Sequence, residues 1–245
     1  MTTDYTPIAE QYQRSKRQPW RGFVECFTLM DLIGDLSGRS VLDLACGEGF
    51  YTRLIRHSGA ARVRGLDLSE GMIALAEAQE ARQPLGITYA VADARELSAE
   101  DPVDLTVAAY LLNYARTPEE LQAMCDGIAR SLKPGGRFVT VNTNPALDLT
   151  AAPSYRTYGF ETTAVGQWEE GTPIQWIFHL EDGPFSIENY HLSVAVHEKA
   201  FERAGFSEVH WFPPRLSPEA LEANDSGYWS TFMDFPPVAF IECIR

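Results

Sequence analysis

Residues 41–49 read Val41-Leu42-Asp43-Leu44-Ala45-Cys46-Gly47-Glu48-Gly49, a short apolar run that ends in a G-x-G turn. The run predicts a buried strand over Ser40–Ala45, and the turn leads into a helical pattern over Phe50–His57. Glycines at such a turn let the backbone approach a ligand closely. Taken alone, the G-x-G also fits a plain tight turn, so its meaning has to come from its surroundings.

Outward from it, short apolar runs alternate with helical patterns. Arg62–Asp67, Ile87–Ala92, Val103–Ala109 and Arg137–Asn142 read as buried strands, with helices over Ser69–Arg82 and Thr117–Leu132 between them. The last helix has a start signal in Thr117 as N-cap, Pro118 at the first helical position and Glu120 completing a capping box. Lys133-Pro134-Gly135-Gly136 closes it. Ser193–Ala204 reads as a helix ended by Gly205, followed by strands near Ser207–Phe212 and Val238–Ile244. Alternation of this kind predicts an α/β three-layer sandwich around a seven-stranded, mostly parallel, Rossmann-like sheet. One domain over 1–245 is expected. Residues 1–36 form a helical lid broken at Pro19, 37–144 the ligand-binding core, 145–192 an inserted β-rich substrate cap and 193–245 the end of the core sheet. Lid and cap both fall where they can cover the carboxyl ends of the strands.

The 245 residues carry 20 Lys and Arg against 34 Asp and Glu, a net charge of −14. That balance disfavours nucleic acid and anionic membrane as partners. No apolar run reaches the length of a membrane span and the N-terminus is polar. Four scattered cysteines without a C-x-x-C pair point away from zinc and disulfides and toward a reducing, cytoplasmic setting. Residues 151–245 hold 17 of the 28 aromatics, which suits either a stacking surface or an ordinary core.

Asp67 ends the second strand 20 residues after Gly47, where a carboxylate can accept both hydroxyls of a ribose. Asp93 follows the third strand, placed to accept from an adenine amino group while the Ala94 N–H donates to the ring. Met72, one turn into the next helix, can lie against an adenine face or simply fill the core. A dinucleotide fingerprint would want glycine at position 52, which is Thr52. Asp43 and Glu48 flank the glycines where a pyrophosphate would sit, and like charges a few ångströms apart repel by about 1 kcal/mol or more. S-adenosylmethionine has no phosphate and carries a sulfonium and an ammonium, so an acidic loop suits it. Asp43 also reads as a buried polar strut.

The ordered set VLDLACGEG, RGLDLSEGM, VADA, DLTVAAYLLNY and LKPGGRFV, over roughly residues 38–143, resembles the class I S-adenosylmethionine-dependent methyltransferases. The resemblance implies S-adenosylmethionine as cofactor and S-adenosylhomocysteine as product. It implies that Ala45 and Gly47 hold the methionine part, Asp67 the ribose and Asp93 the adenine, with Ala109 and Tyr110 beside the transferable methyl. Many members have glycine where this chain has Ala45, tolerable if the chain bends only after Cys46. Tyr5-x-x-Ile8-Ala9-x-x-Tyr12 resembles the lid helix of small-molecule members, in which Tyr12 would reach the cofactor carboxylate. One of Arg14, Lys16, Arg17 and Arg21 would pair with that carboxylate, the others being solvated. The stretch Phe185–Ser193 is similar to the same subgroup, which includes toxoflavin-type N-methyltransferases acting on a planar azapteridine.

Methyl transfer to a neutral ring nitrogen needs little or no base, whereas a phenol, hydroxyl or carbon nucleophile usually needs one. His191, His179, Tyr110, Tyr114 and Tyr5 are the candidates, and none is singled out as catalytic. No metal is expected. Tyr5, Tyr110, Trp176 and His191 are expected to line the acceptor site, and Trp168, Trp176, Tyr155, Tyr158 and Tyr190 suggest a flat acceptor held by stacking. The reading is methyl transfer to nitrogen or oxygen of an aromatic or heterocyclic natural product. A nicotinamide-dependent oxidoreductase and a non-catalytic S-adenosylmethionine-binding protein are the alternatives.

Overall fold

The computed structural model describes residues 9–164 and 166–245; Tyr5 lies outside them. Five strands come first: β1 (Ser40–Leu44), β2 (Arg62–Asp67), β3 (Thr88–Val91), β4 (Val103–Ala109) and β5 (Leu132–Thr143). β6 (Phe160–Ala164), β7 (Pro173–Leu180) and β8 (Gly183–Tyr190) make a separate antiparallel sheet, and β9 (Glu208–Phe212) and β10 (Val238–Ile244) return to the first. The large sheet is ordered β3-β2-β1-β4-β5-β10-β9. β1 to β5 pair in parallel, and β10 lies antiparallel between β5 and β9.

β1 is buried at all five positions because it pairs on both edges and is covered on both faces. Successive side chains of a strand point to opposite faces. Val41 therefore joins the core under α2 (Phe27–Ile33) and α3 (Phe50–His57), while Leu42 and Leu44 join the core with α5 (Pro118–Ser131) and α6 (Val194–Ala204). Thr117 caps α5 as expected, and Ser69 caps α4 (Glu70–Arg82) and Ser193 caps α6 in the same way, each hydroxyl accepting a first-turn N–H. Glu120 does not close the box on Thr117; its carboxylate accepts the Arg116 N–H at 2.8 Å instead.

The antiparallel sheet turns one face inward. Ile174, Trp176 and Phe178 of β7 and Phe185, Ile187 and Asn189 of β8 are buried there in register, Trp176 opposite Ile187 and Phe178 opposite Phe185. That face merges with the core below through Trp20, whose ring centroid lies 5.0 Å from Phe160 and 5.7 Å from Phe232.

Three features depart from the sequence reading. After α1 (Ala9–Ser15), residues Arg21–Cys26 form a π-helical stretch that runs into α2. β5 begins directly at the end of α5, because the Lys133–Gly136 segment is drawn into the sheet by Gly135 N–H to Arg245 and Arg245 N–H to Gly136. Two helices, α7 (Pro218–Ala223) and α8 (Ser226–Asp234), stand where only the end of the sheet was expected. Trp229 and Phe232 of α8 are fully buried against the lid and the cap. No helix among the described residues is long and apolar enough to cross a membrane.

Candidate active site

A cavity of about 580 Å³ opens at the carboxyl ends of the parallel strands, walled by the β1–α3, β2–α4 and β3 turns and by the segment after β4. Its volume is within the ~300–1,000 Å³ usual for small-molecule sites. Tyr12, Ala45, Gly47, Asp67, Met72, Asp93, Ala94 and Ala109 all line it, as does Tyr110.

The turn after β1 bends earlier than expected. Ala45 itself is left-handed, with φ of 54°, followed by Gly47 at 55° and Gly49 at 88°. The chain thus turns at an alanine, a conformation that disfavours a Cβ. Asp67 ties this turn to the next one. One carboxylate oxygen accepts the Gly47 N–H at 2.8 Å and the other accepts the Ser69 N–H at 2.8 Å. Burial pushes the Asp67 carboxyl up, and these two backbone donors work against that shift. The two glycines differ in purpose. A Cβ at Gly47 would meet no atom within 4 Å, leaving room at the cavity wall, whereas one at Gly49 would stand 2.5 Å from the Tyr89 hydroxyl.

Asp43 and Glu48 do not line the cavity. Asp43 is the buried strut: it is 1 % exposed and accepts the Thr52 hydroxyl at 2.6 Å. Burial pushes its carboxyl up to about 7. The acid facing the cavity comes instead from Asp67, Glu70, Asp93 and Glu120, against Arg95 and Arg116. An anionic pyrophosphate would meet net like charge there, and a cationic ligand net opposite charge. Asp93 is engaged by Arg95, which holds its carboxyl below the usual range. Met72 is 2 % exposed and also lines the cavity, so core packing and cavity lining coincide in it.

At the far end of the cavity sits a buried polar network that sequence reading missed. Arg21 pairs with Glu25 at 2.5 Å, and the two side chains are 5 % and 0 % exposed. Tyr51 donates its phenol to the other Glu25 oxygen at 2.6 Å, and Tyr110 donates to Glu25 from the cavity wall. Tyr110 has φ of 66°, an outlier for a bulky side chain, pinned also by its N–H to Val141 at 2.8 Å. Burial, reinforced by Glu25, raises the Tyr110 phenol well above its ordinary value. Of the basic run, Arg14 pairs with Asp182, Lys16 lies over the Tyr12 and Tyr51 rings, and Arg21 is committed to Glu25. A local signal existed: Arg21 and Glu25 stand one helical turn apart, the spacing of an ion pair.

Trp176 lines a second hollow of about 20 Å³ that adjoins the first, since Tyr12, Tyr110 and Tyr114 belong to both walls. Asn189, Phe178, Ile187 and Arg21 complete it. His191 is placed elsewhere. It falls just beyond β8 and stacks on Trp168 with centroids 4.0 Å apart, on neither cavity wall. His179 hydrogen-bonds Glu161 in the cap at 2.7 Å, also off both walls. The stacking surface expected of the cap is mostly core. Tyr155 and Tyr158 are buried, donating to the Phe235 and Tyr228 carbonyls, and Tyr190 donates to Glu188. Packing on Phe160 and Phe232 claims the Tyr155 ring, and packing on Trp229 and Phe232 claims that of Tyr158, partners unreadable without α8 in place.

A methyltransferase-domain family matches residues 41–136, the stretch that supplies the glycine turn and the cavity-lining Asp67 and Asp93. The likeness in fold extends well beyond that stretch. A solved S-adenosylmethionine-dependent methyltransferase from Mesorhizobium loti is 25 % identical, covers 90 % of this chain and 97 % of its own, and superposes with a TM-score of 0.65.

The chain is an S-adenosylmethionine-dependent methyltransferase.

Other relatives fit the methyltransferase assignment. N-demethylindolmycin N-methyltransferase of Streptomyces griseus is 28 % identical over 230 residues, 89 % of this chain and 94 % of its own. Ubiquinone biosynthesis O-methyltransferase of Bordetella pertussis is 32 % identical over 127 residues, 50 % of this chain. That second match spans about half of the relative's length. The oxidoreductase alternative falls with this assignment. The methyltransferase's cofactor is S-adenosylmethionine, and the cavity fits it: its net acidic wall accommodates a sulfonium, and Asp67 and Asp93 stand at the ends of adjacent strands.

Proposed function

We propose that this methyltransferase moves a methyl group to a nitrogen of a planar aromatic or heterocyclic small molecule, as a step in building a natural product. The observation that carries the choice of nitrogen is the wall at the Tyr110 end of the cavity. Tyrosines, arginines, Trp176 and Asn189 form it, and among the described residues no imidazole lines either hollow. The carboxylate that Tyr110 contacts, Glu25, is held by Arg21, Tyr51 and Tyr110. A proton passed to Glu25 would cost that ion pair, so the network is a poor base for a hydroxyl nucleophile. A neutral nitrogen needs none. Full-length similarity to N-demethylindolmycin N-methyltransferase supports the same class of acceptor.

Bound S-adenosylmethionine supplies a methyl already activated on a sulfonium. The protein's part is alignment and exclusion of water, worth up to about 7–11 kcal/mol when geometry is well held. In this reading Asp67 holds the ribose, and Asp93 with the Ala94 N–H holds the adenine. Ala45 and Gly47 give room to the methionine part, Tyr12 reaches its carboxylate, and Ala109 and Tyr110 flank the methyl. Trp176 faces the acceptor.

The test is to incubate the purified chain with S-adenosylmethionine and a panel of planar azaheterocycles and phenols, and to locate the added methyl by mass spectrometry and NMR. N-methyl products from the heterocycles support the proposal; methylation confined to phenols, or to protein or nucleic acid, overturns it.

A further inference from the structure

Among the described residues, two buried nitrogens of side chains that line the smaller hollow have no hydrogen-bond partner: Nε of Arg21 and Nε1 of Trp176. Their side chains are 5 % and 3 % exposed. A buried N–H without an acceptor is costly, and a native structure tolerates one chiefly where something else supplies the acceptor. Both side chains are otherwise engaged. Arg21 gives Nη1 to Glu25, and its guanidinium carbon lies 4.3 Å from the Trp20 ring centroid, 5.1 Å from Tyr110 and 5.5 Å from Phe178. The Trp176 ring is stacked 5.1 Å from Phe160. Both groups are thus fixed by neighbours that leave one N–H unused.

From this we infer that the acceptor molecule carries a carbonyl-type oxygen that enters this hollow and takes hydrogen bonds from Arg21 Nε and Trp176 Nε1. The inference rests on the small-molecule reading above and narrows it. Size supports it: about 20 Å³ is enough for one water-sized group and too little for a ring. The ring of the acceptor therefore stays in the large cavity beside Tyr110 and Tyr114, and only a polar tip goes deeper. Charge supports it as well. The Arg21 guanidinium is already balanced by Glu25, so the hollow offers donors without a net positive charge, which suits a neutral oxygen better than a carboxylate. Arg21 and Trp176 are in this sense specificity-determining residues: they choose which planar molecule is held, and in which orientation.

The probes are 4-quinolone and quinoline, ring systems of similar shape that differ in the carbonyl oxygen and in the ring-nitrogen proton that accompanies it, the two variants below reporting on the oxygen. Binding of each is measured by calorimetry to the full chain saturated with S-adenosylhomocysteine. The expected result is that 4-quinolone binds about tenfold or more tightly than quinoline. Trp176→Phe, which keeps an aromatic ring and loses the N–H, should shrink that preference. Arg21→Lys keeps the charge beside Glu25, loses Nε, and should shrink it too. In the unaltered protein the indole N–H proton resonance absent from Trp176→Phe should move on adding 4-quinolone and stay with quinoline. Equal binding of the two probes, or a preference undiminished in both variants, overturns the carbonyl inference and leaves the planar-acceptor reading standing. Binding of neither probe overturns both.

Discussion

Arg95 and Asp93 grip each other at the rim of the large cavity, Nη2 to Oδ2 at 2.5 Å and Nε to Oδ1 at 2.9 Å, while the Arg95 backbone N–H takes Oδ1 as well. A fourth contact, Nε to Oδ2 at 3.0 Å, leaves the carboxylate with little capacity to spare. An adenine amino group reaching Asp93 has to displace part of this grip. Arg95 is 44 % exposed, so the ion pair is worth at most about 1 kcal/mol. Arg95→Ala should therefore tighten S-adenosylhomocysteine binding about two- to fivefold. Asp93→Ala should weaken it. Calorimetric titration measures both, and looser binding by the Arg95 variant would mean that the guanidinium contacts the nucleoside itself.

Gly47 and Gly49, on either side of Glu48, make a paired test. Gly47→Ala adds a methyl where no protein atom stands within 4 Å, at φ of 55°. Its stability cost is the left-handed backbone alone, about 1 kcal/mol, or a melting temperature lower by about 2–4 °C. Its cofactor affinity should drop at least tenfold, because the methyl occupies ligand space. Gly49→Ala drives a Cβ to 2.5 Å from Tyr89, whose ring is also pressed against Gly65. Thermal melts should show the larger loss in the Gly49 variant, and an unchanged cofactor affinity in Gly47→Ala would remove that glycine from the ligand wall.

Asp43 should make the protein less stable as the solution becomes alkaline. Its native pKa of about 7 is above the ordinary 3.8, so the folded state holds the proton more tightly than the unfolded chain. The associated stability is complete below about pH 4 and is lost as pH rises through 7, at most about 4 kcal/mol. Asp43→Asn keeps a partner for the Thr52 hydroxyl and removes the titration. Melting curves at pH 5 and pH 8 should show a fall in the unaltered protein that is smaller in the variant. Parallel falls in both would place the pH dependence elsewhere.

Tyr110→Phe removes one donor to Glu25 while Arg21 and Tyr51 remain. Denaturant unfolding should register a loss of about 1–2 kcal/mol. Turnover should fall by less than tenfold, with an unchanged pH profile, because the phenol positions and does not exchange protons. A collapse of kcat with full stability, together with a shifted pH limb, would make Tyr110 an acid–base group.

The sheet and the large cavity were readable because their signals are local. Apolar runs ending in Gly47, Asp67 and Asp93 carry their own geometry, and Ser69, Thr117 and Ser193 announce the helices that follow. The Arg21–Glu25–Tyr51–Tyr110 network was not, since its members come from three separate segments and only packing reveals that they meet. α7 and α8 did leave signals, Ser217 before Pro218 and Asp225 before Ser226, each capping its helix. Those caps were hidden by an aromatic-rich stretch that reads equally well as sheet. His191 was misplaced for a related reason: β8 ends at Tyr190, so the alternation that brings Ile187 and Asn189 to the smaller hollow does not carry on to His191.

Trp20 touches Phe160 of the cap and Phe232 of α8 at once. Lid, cap and carboxyl-terminal helices are therefore one interlocked body, although they are strung out from one end of the chain to the other. Anyone wishing to give this scaffold a new acceptor by exchanging the cap with a relative must move all three segments together. A transplant of residues 145–192 alone would strand a tryptophan and a phenylalanine without their partners, and would be expected to fail at folding before selectivity could be assayed.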